Sequence, residues 1–414
     1  MRNILQILFL SVSFSAIVLA QSNSVYTRSG FGDLEYGYSA KMIGIGNIGT
    51  ALLDPDHLIV TNPASWSALT RTRIEFGIGY RGTLISDNIQ SNYTSETDFK
   101  GFTFGFPVSR EYGIGVVTGL LPYSRVSYEA VKVYPAENVI PSYKLLYEGK
   151  GGLSKLFIGS SVFLPLDFSA GVTLDYYFGN QNYISTIEFD ESDYINTTYE
   201  NLRSSTGFGT TFGLISSNLA KAINLENLTD LRIGLAYNYV GNLNTDTLFT
   251  QTSLFLVDTV AISNTEMKIP ARFTGGISFV LQDSYCFNLD YMFQPMSKYK
   301  FNNKADINLK DAARYSAAFE YKPKKSVGMT ELEQMVWRFG LSYEQTQYVF
   351  NGKDINQFSV YGGFSYPLGI DNTLDLAIEY SNRGTTENNL LNENAIKIYL
   401  GISFGELWFL TFDK

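Results

Sequence analysis

From about residue 71 to the end, the chain alternates apolar and polar residues with a period of two, over roughly 340 positions. Trp337-Arg338-Phe339-Gly340-Leu341-Ser342-Tyr343-Glu344 is the clearest case. Leu231–Tyr239, Leu374–Tyr380 and Ile396–Phe404 repeat it. Side chains on a strand point alternately to its two faces, so each segment has one apolar face and one polar face. No segment after residue 20 carries about 18 consecutive apolar residues, which excludes membrane-spanning helices.

A soluble two-sheet sandwich would alternate in the same way, so composition decides. Aromatic residues make up 15%, with 29 Tyr and 30 Phe beside 36 Gly and only 11 Pro. They sit on the apolar face of strands of ten residues or more, the length that a tilted membrane strand needs. About fourteen segments begin near residues 72, 96, 111, 143, 167, 195, 229, 268, 284, 308, 336, 355, 372 and 394, an even number as single-chain bacterial barrels have. Short turns near Ser109-Arg110-Glu111, Pro165-Leu166, Gln282-Asp283 and Gly369–Asn372 alternate with longer polar stretches at 86–95, 130–142, 181–194, 245–267 and 385–393. Short turns belong on the periplasmic side and long loops outside. The connections 217–228 and 323–335 break that rule, and the second is expected to hold a helical turn. The predicted fold is all-β: a transmembrane antiparallel β-barrel of about 14 strands with an N-terminal hatch in its lumen.

The barrel occupies residues 71–414, preceded by a hatch or plug at 21–70 and a signal peptide at 1–20. Arg2, the apolar run Ile4–Leu19 and Val18-Leu19-Ala20 fit an export signal cleaved near Ala20, which points to the Gram-negative outer membrane. A net charge of −9 argues against nucleic acid as a partner. The one Cys, Cys286, forms no internal disulfide. The one His, His57, rules out a His-based metal cluster. No cofactor is expected. Residues 21–38 are polar and aperiodic. Ser39–Ser65 is rich in small residues and ends in Asn62-Pro63-Ala64. In the third strand Pro122 has no N–H for the ladder, so a bulge or kink is expected at Pro122-Tyr123, unless the strand ends at Leu121.

Ser39-Ala40, Gly44–Ala51, Asp54 and Asn62-Pro63-Ala64-Ser65, followed by Pro122-Tyr123 with Tyr128 and by such a barrel, resemble the outer-membrane long-chain fatty acid transporter family (FadL-like). Tyr147–Ser154 and Leu407-Trp408-Phe409 are similar to other members of that family. The resemblance implies a hatch in the lumen and a hydrophobic substrate bound beside it. It also implies a kinked strand 3 that opens the wall sideways, and a monomer. The partners are then hydrophobic small molecules, fatty acids or hydrocarbons, together with outer-membrane lipid. The end Phe412-Asp413-Lys414 departs from the terminal aromatic of barrels, so Phe404, Trp408 and Phe409 are expected to serve as the assembly signal.

Gly44, Gly46 and Gly49 have dinucleotide-binding spacing, but nothing around them reads as a βαβ unit, so close packing within the hatch explains them better. His57 with Asp54 or Asp56 could belong to a lipid hydrolase, yet no Gly-x-Ser-x-Gly elbow occurs. Arg73, Arg232, Arg272, Arg314 and Arg338 are candidate contacts for a substrate carboxylate. Their alternative is pairing with lumen-facing Glu75, Asp290, Glu320, Glu344, Asp375 and Glu379. The leading function is passive uptake of hydrophobic compounds such as long-chain fatty acids. The others are a component of protein secretion or surface assembly, type IX-like, and, third, an outer-membrane lipid hydrolase. Lateral exit further predicts that Asn62-Pro63-Ala64 lies against the break at Pro122.

Overall fold

The computed structural model describes residues 24–137, 140–191, 193–223, 228–254, 256–324, 328–369 and 371–407. The expected signal peptide, together with Trp408 and Phe409, lies outside them.

Fourteen antiparallel strands close into a barrel. In order they are β1 Thr72–Ser86, β2 Ser91–Ser109, β3 Ile114–Tyr134, β4 Tyr143–Leu164, β5 Phe168–Phe189 and β6 Thr197–Ile215. β7 runs Leu228–Val240 and resumes at Leu243–Ser253; β8 runs Leu256–Lys268 and resumes at Arg272–Leu281. β9 Tyr285–Gln294, β10 Ala312–Tyr321, β11 Val336–Phe350, β12 Lys353–Pro367, β13 Thr373–Gly384 and β14 Asn392–Glu406 complete the set. β14 pairs with β1 from Asn392↔Ser86 to Glu406↔Thr72, which closes the barrel. No helix among the described residues is long and apolar enough to cross a membrane.

The alternation resolves as a soluble protein turned inside out. On β11, Trp337, Phe339, Leu341 and Tyr343 are exposed on the outer wall, while Arg338, Ser342 and Glu344 are buried in the lumen. Stable folding of such a wall requires an apolar medium outside it.

The connections differ from the sequence expectation in one respect. The stretch 245–267, expected as a long loop, is the hairpin of β7 and β8, paired from Leu243↔Met267 to Ser253↔Leu256. Likewise β2 begins at Ser91 and β5 persists to Phe189. The cause is physical: beyond the lipid both faces of a strand are wet, so its alternation vanishes and it reads as a loop. The connection after β10 does contain a helical turn, with Gln334 N–H donating to the Thr330 carbonyl at 3.2 Å.

Residues 24–69 contact strands all round the barrel and therefore lie inside it. Tyr26, Phe31 and Leu34 pack with Tyr123, Tyr177, Leu243 and Tyr299 near the long-loop end. Helix α1, Ala40–Gly44, opens on Ser39, whose hydroxyl accepts from Met42 N–H at 3.3 Å. Met42, Ile45 and Ile48 pack on Cys286 and Ala318. A 3-10 turn, Pro63–Ala68, places Trp66 on Phe157 and Val117. Wall glycines make room for this segment: a Cβ on Gly213 would stand 1.9 Å from Asn62 Oδ1, and one on Gly234 would stand 2.0 Å from the Thr50 carbonyl.

Candidate functional site

The barrel wall parts between β2 and β3. Their ladder runs from Ser109↔Ile114 to Phe102↔Leu120 and stops there. Above it, Ser91–Gly101 pairs only with β1, and Leu121–Tyr134 pairs with β4. Two bulges flank the break. Lys100 is the extra residue against β1, between Gly77 and Ile78, and Tyr123 is the extra residue against β4, between Pro122 and Ser124. Gly101 sits at φ +149°, with Leu121 and Tyr38 crowding the place of a Cβ. The bulge expected at Pro122 is present, and the wall break explains why the proline is tolerated. Once β2 has left, its ladder no longer stands opposite Pro122 and does not need the missing N–H.

The N-terminal segment takes β2's place. Asp33 and Leu34 pair with Arg125 and Ser124, and Glu35 N–H donates to the Tyr123 carbonyl at 3.1 Å. Charges close the seam. Arg125 Nη1 lies 2.6 Å from both Glu96 and Asp98, and Lys100 Nζ lies 2.9 Å from Asp98 and 3.1 Å from Glu35. Burial alone would raise the Glu35 carboxyl, but Lys100, Arg81 and Arg125 outweigh it and hold it well below the usual carboxylate range.

Behind the break lies a cavity of about 100 Å³, bounded by Tyr36, Ile48, Val60, Thr61, Pro122 and Arg272 among others. Tyr123, placed inward by the bulge, stacks on Phe31 and meets Tyr177 edge-on at 4.9 Å. Its ring and that of Tyr36 stand 5.3 and 5.5 Å from the Arg272 guanidinium carbon. A second cavity of about 80 Å³ lies by Asp33, Arg81, Glu379 and Arg383.

The five candidate arginines separate clearly here. Arg73 bonds Asp56 at 2.7 Å and the Pro55 and Asp371 carbonyls. Arg232 bonds Asp230 at 2.8 Å and the Ser216 carbonyl. Arg314 bonds the Gly46 carbonyl at 3.0 Å and Tyr361 at 2.9 Å. Arg338 bonds Glu320 at 2.6 Å and Asp375 at 3.3 Å. Arg272 differs. Its buried Nε and Nη2 have no hydrogen-bond partner among the described residues. Lys155 also lines this cavity, 3.6 Å from Asp175. Sequence reasoning missed Tyr36, Lys155 and Asn238. Register sets Asn238 opposite Arg272, the threaded segment brings in Tyr36, and Lys155 lines the same cavity; no local pattern marks any of them.

The glycine motif is structural. Gly46, at φ +71°, follows α1 instead of opening a helix, contrary to a nucleotide loop. Gly49 N–H and Thr50 N–H both donate to Asp290 at 3.0 Å, which ties the segment to β9. Asn62 caps the 3-10 turn by accepting from Ala64 N–H at 3.0 Å, with Pro63 in the first turn. Its Nδ2 donates to the Thr50, Leu214 and Leu235 carbonyls. Asn62-Pro63-Ala64 thus binds β5–β7, with the Gly171 backbone against Pro63, and does not lie against Pro122 as lateral exit predicts, because its donors are taken by those strands. It is Val60 and Thr61, just upstream, that share the cavity with Pro122.

His57 is buried at the short-turn end. Its Nδ1 lies 3.5 Å from Asp54 and its Nε2 3.5 Å from Asp375. Burial and then the Lys41 charge push its pKa down. Lys41 is itself paired with Asp54, and burial lowers its ammonium to about 8. The nearby hydroxyl, Ser365, donates to Asp375 and not to His57. A nucleophile must give its proton to the imidazole, and Ser365 is not placed to do so.

The structural neighbours share the whole architecture. The toluene transporter TodX of Pseudomonas putida superposes with TM-score 0.61 at 16% identity, over 91% of this chain and 99% of TodX. The toluene transporter TbuX of Ralstonia pickettii gives 0.57 at 15%, over 89% and 98%. A Pseudomonas aeruginosa FadL homologue gives 0.57 at 10%, over 90% and 98%. These neighbours are transport proteins rather than enzymes. No curated protein matches the sequence. The BamG family model matches residues 1–412. The chain belongs to the BamG family, as a FadL-like β-barrel of the Gram-negative outer membrane.

Proposed function

We propose that this protein is a passive channel for small hydrophobic or amphiphilic molecules, in which residues 24–70 act as the hatch and substrate leaves sideways between β2 and β3. The carrying observation is the break in the wall with a cavity directly behind it, where Arg272 lacks a carboxylate partner. A long-chain fatty acid would set its carboxylate on Arg272 and its tail toward Ile48, Val60 and Pro122. Tail transfer into the bilayer gains about 0.8 kcal/mol per CH₂, so exit needs no energy source. The structural neighbours, toluene transporters and a FadL homologue, support the same class of cargo. A cavity of about 100 Å³ is smaller than the roughly 150 Å³ that admits benzene. The hatch must therefore shift to load.

Deleting residues 24–66 tests the hatch in planar bilayers. Conductance should rise from near zero to a stable open level. The single thiol, Cys286, which Met42 and Ile45 cover, should become reactive to maleimide. Unchanged conductance with a still-protected thiol would sink the proposal. Loading is tested by native mass spectrometry with lauric acid and with a neutral alkane. Arg272→Met should lose the acid and keep the alkane.

A second reading, a component of protein secretion or surface assembly, draws on how tightly the lumen is sealed and ion-paired. It gains if the intact chain binds neither ligand.

A further inference from the structure

The β3–β8 side of the barrel mouth is an extended sheet with a free edge on β8. From Leu256 to Glu266, β8 pairs with β7 on one side only; on the other side Lys300-Phe301 first meets it at Met267 and Lys268. Apart from Glu266, whose carbonyl accepts from Asn302 N–H, no backbone bond of the described residues reaches this outer edge. A strand edge presents alternate N–H and C=O groups, a ready ladder for another chain.

Proteins usually blunt such edges with lysine, proline or inward charges. Leu256–Thr265 has no lysine and no proline; it has Asp258 and a bulge between Thr259 and Ala261. Its large apolar side chains are bare: Leu256 62%, Val257 72%, Val260 51% and Ile262 77% exposed. Lipid does not explain them. The outer-wall apolar side chains of β8 that match the membrane band are Ile277 and Phe273, and β7 ends its band at Tyr239. Ile262 lies about 30 Å further along the strand, roughly 20 Å above that girdle at a 45° tilt. An apolar edge held clear of the membrane marks a binding surface.

A second copy does not fit this edge. Two barrels in one membrane are related by rotation about its normal, and with strands tilted by about 40° their β8 edges would cross at roughly 80°. A crossing of that size cannot form a ladder. A flexible segment can align itself freely. The hairpin's charges Asp246, Asp258 and Glu266 outnumber Lys268, so a segment with basic residues is favoured.

We propose that the outer edge of β8, Leu256–Thr265, receives an extended segment of a partner polypeptide, apolar with basic flanks, as an added strand. The edge of β3 beyond the N-terminal segment, at Glu129–Tyr134, is the internal contrast, because Lys132 and Pro135 guard it. A photo-crosslinking residue is placed singly at 257, 260, 262 and, as control, 133 in the full chain in intact cells, and the adducts are sequenced by mass spectrometry. The three β8 positions should capture successive residues of one basic-flanked segment, advancing along it as the probe moves. Ile262→Lys should cut capture at 257 at least tenfold while the barrel's heat-modifiable migration stays unchanged; Val257→Lys, with the probe at 262, serves if that variant folds poorly. The proposal is overturned by capture no greater than at 133, by capture of another copy of this chain, or by adducts that do not advance in register.

Discussion

Arg272 and Arg338 are both lumen-facing arginines on barrel strands, yet removing each should have opposite consequences. Arg338 neutralises Glu320 and Asp375, both buried. Arg338→Gln leaves Asp375 without its arginine and Glu320 with only Lys41, 3.9 Å away, a loss on the order of 3–5 kcal/mol, visible as a lower unfolding midpoint in urea. Arg272 compensates no carboxylate and is held by two tyrosine rings. Arg272→Met should leave the midpoint within about 1 kcal/mol, since cation–π contacts are worth about that much. The same change should weaken fatty acid binding by about tenfold or more, the scale of one lost charge-assisted hydrogen bond. A large stability loss in Arg272→Met would show that the residue is structural.

The N-terminal segment is held by a few directional contacts set into glycine gaps. Asn62→Ala removes a cap and three donations to carbonyls of Thr50, β6 and β7. It should cost about 1–3 kcal/mol of local stability and raise the maleimide reactivity of Cys286 without opening the barrel. Gly213→Val should do the same from the wall side, since its side chain would occupy the place of Asn62.

The segment also responds to pH. His57 is held neutral by burial and by Lys41, with Asp54, Asp375 and Glu75 as the facing acids. Its folded pKa lies below the unfolded value of about 6.5, so its contribution is complete above about pH 6.5 and declines as pH falls below it. Acidification from pH 7 to 5 should therefore loosen the short-turn end of the segment, read by the fluorescence of Trp66. His57→Gln should remove that part of the response. If the variant titrates like the parent, His57 is not the sensor.

For the whole molecule, the wall's ladder is interrupted between β2 and β3, where salt bridges and two residues of the N-terminal segment stand in its place. Arg125→Glu sets three carboxylates together there and should raise the rate at which the open state appears in bilayer recordings. A silent channel would argue that the seam does not open.

The barrel was legible because lipid on one side and a polar lumen on the other impose a period of two wherever a strand crosses the membrane, as on β11 and β13. Pro122 announced the bulge for an equally local reason, the missing N–H. The outer halves of β7 and β8 were illegible because both faces meet water. The arginine without a carboxylate partner was illegible for a different reason. Arg338, Arg314 and Arg272 look alike in sequence, and their partners lie on other strands or on the N-terminal segment, up to 268 positions away for Gly46 and Arg314. The sequence by itself determined the closed antiparallel wall, because solvation acts on each residue separately. Only the tertiary structure decided where that wall parts and which of the candidate arginines meets no carboxylate, because register and the threaded segment choose the neighbours.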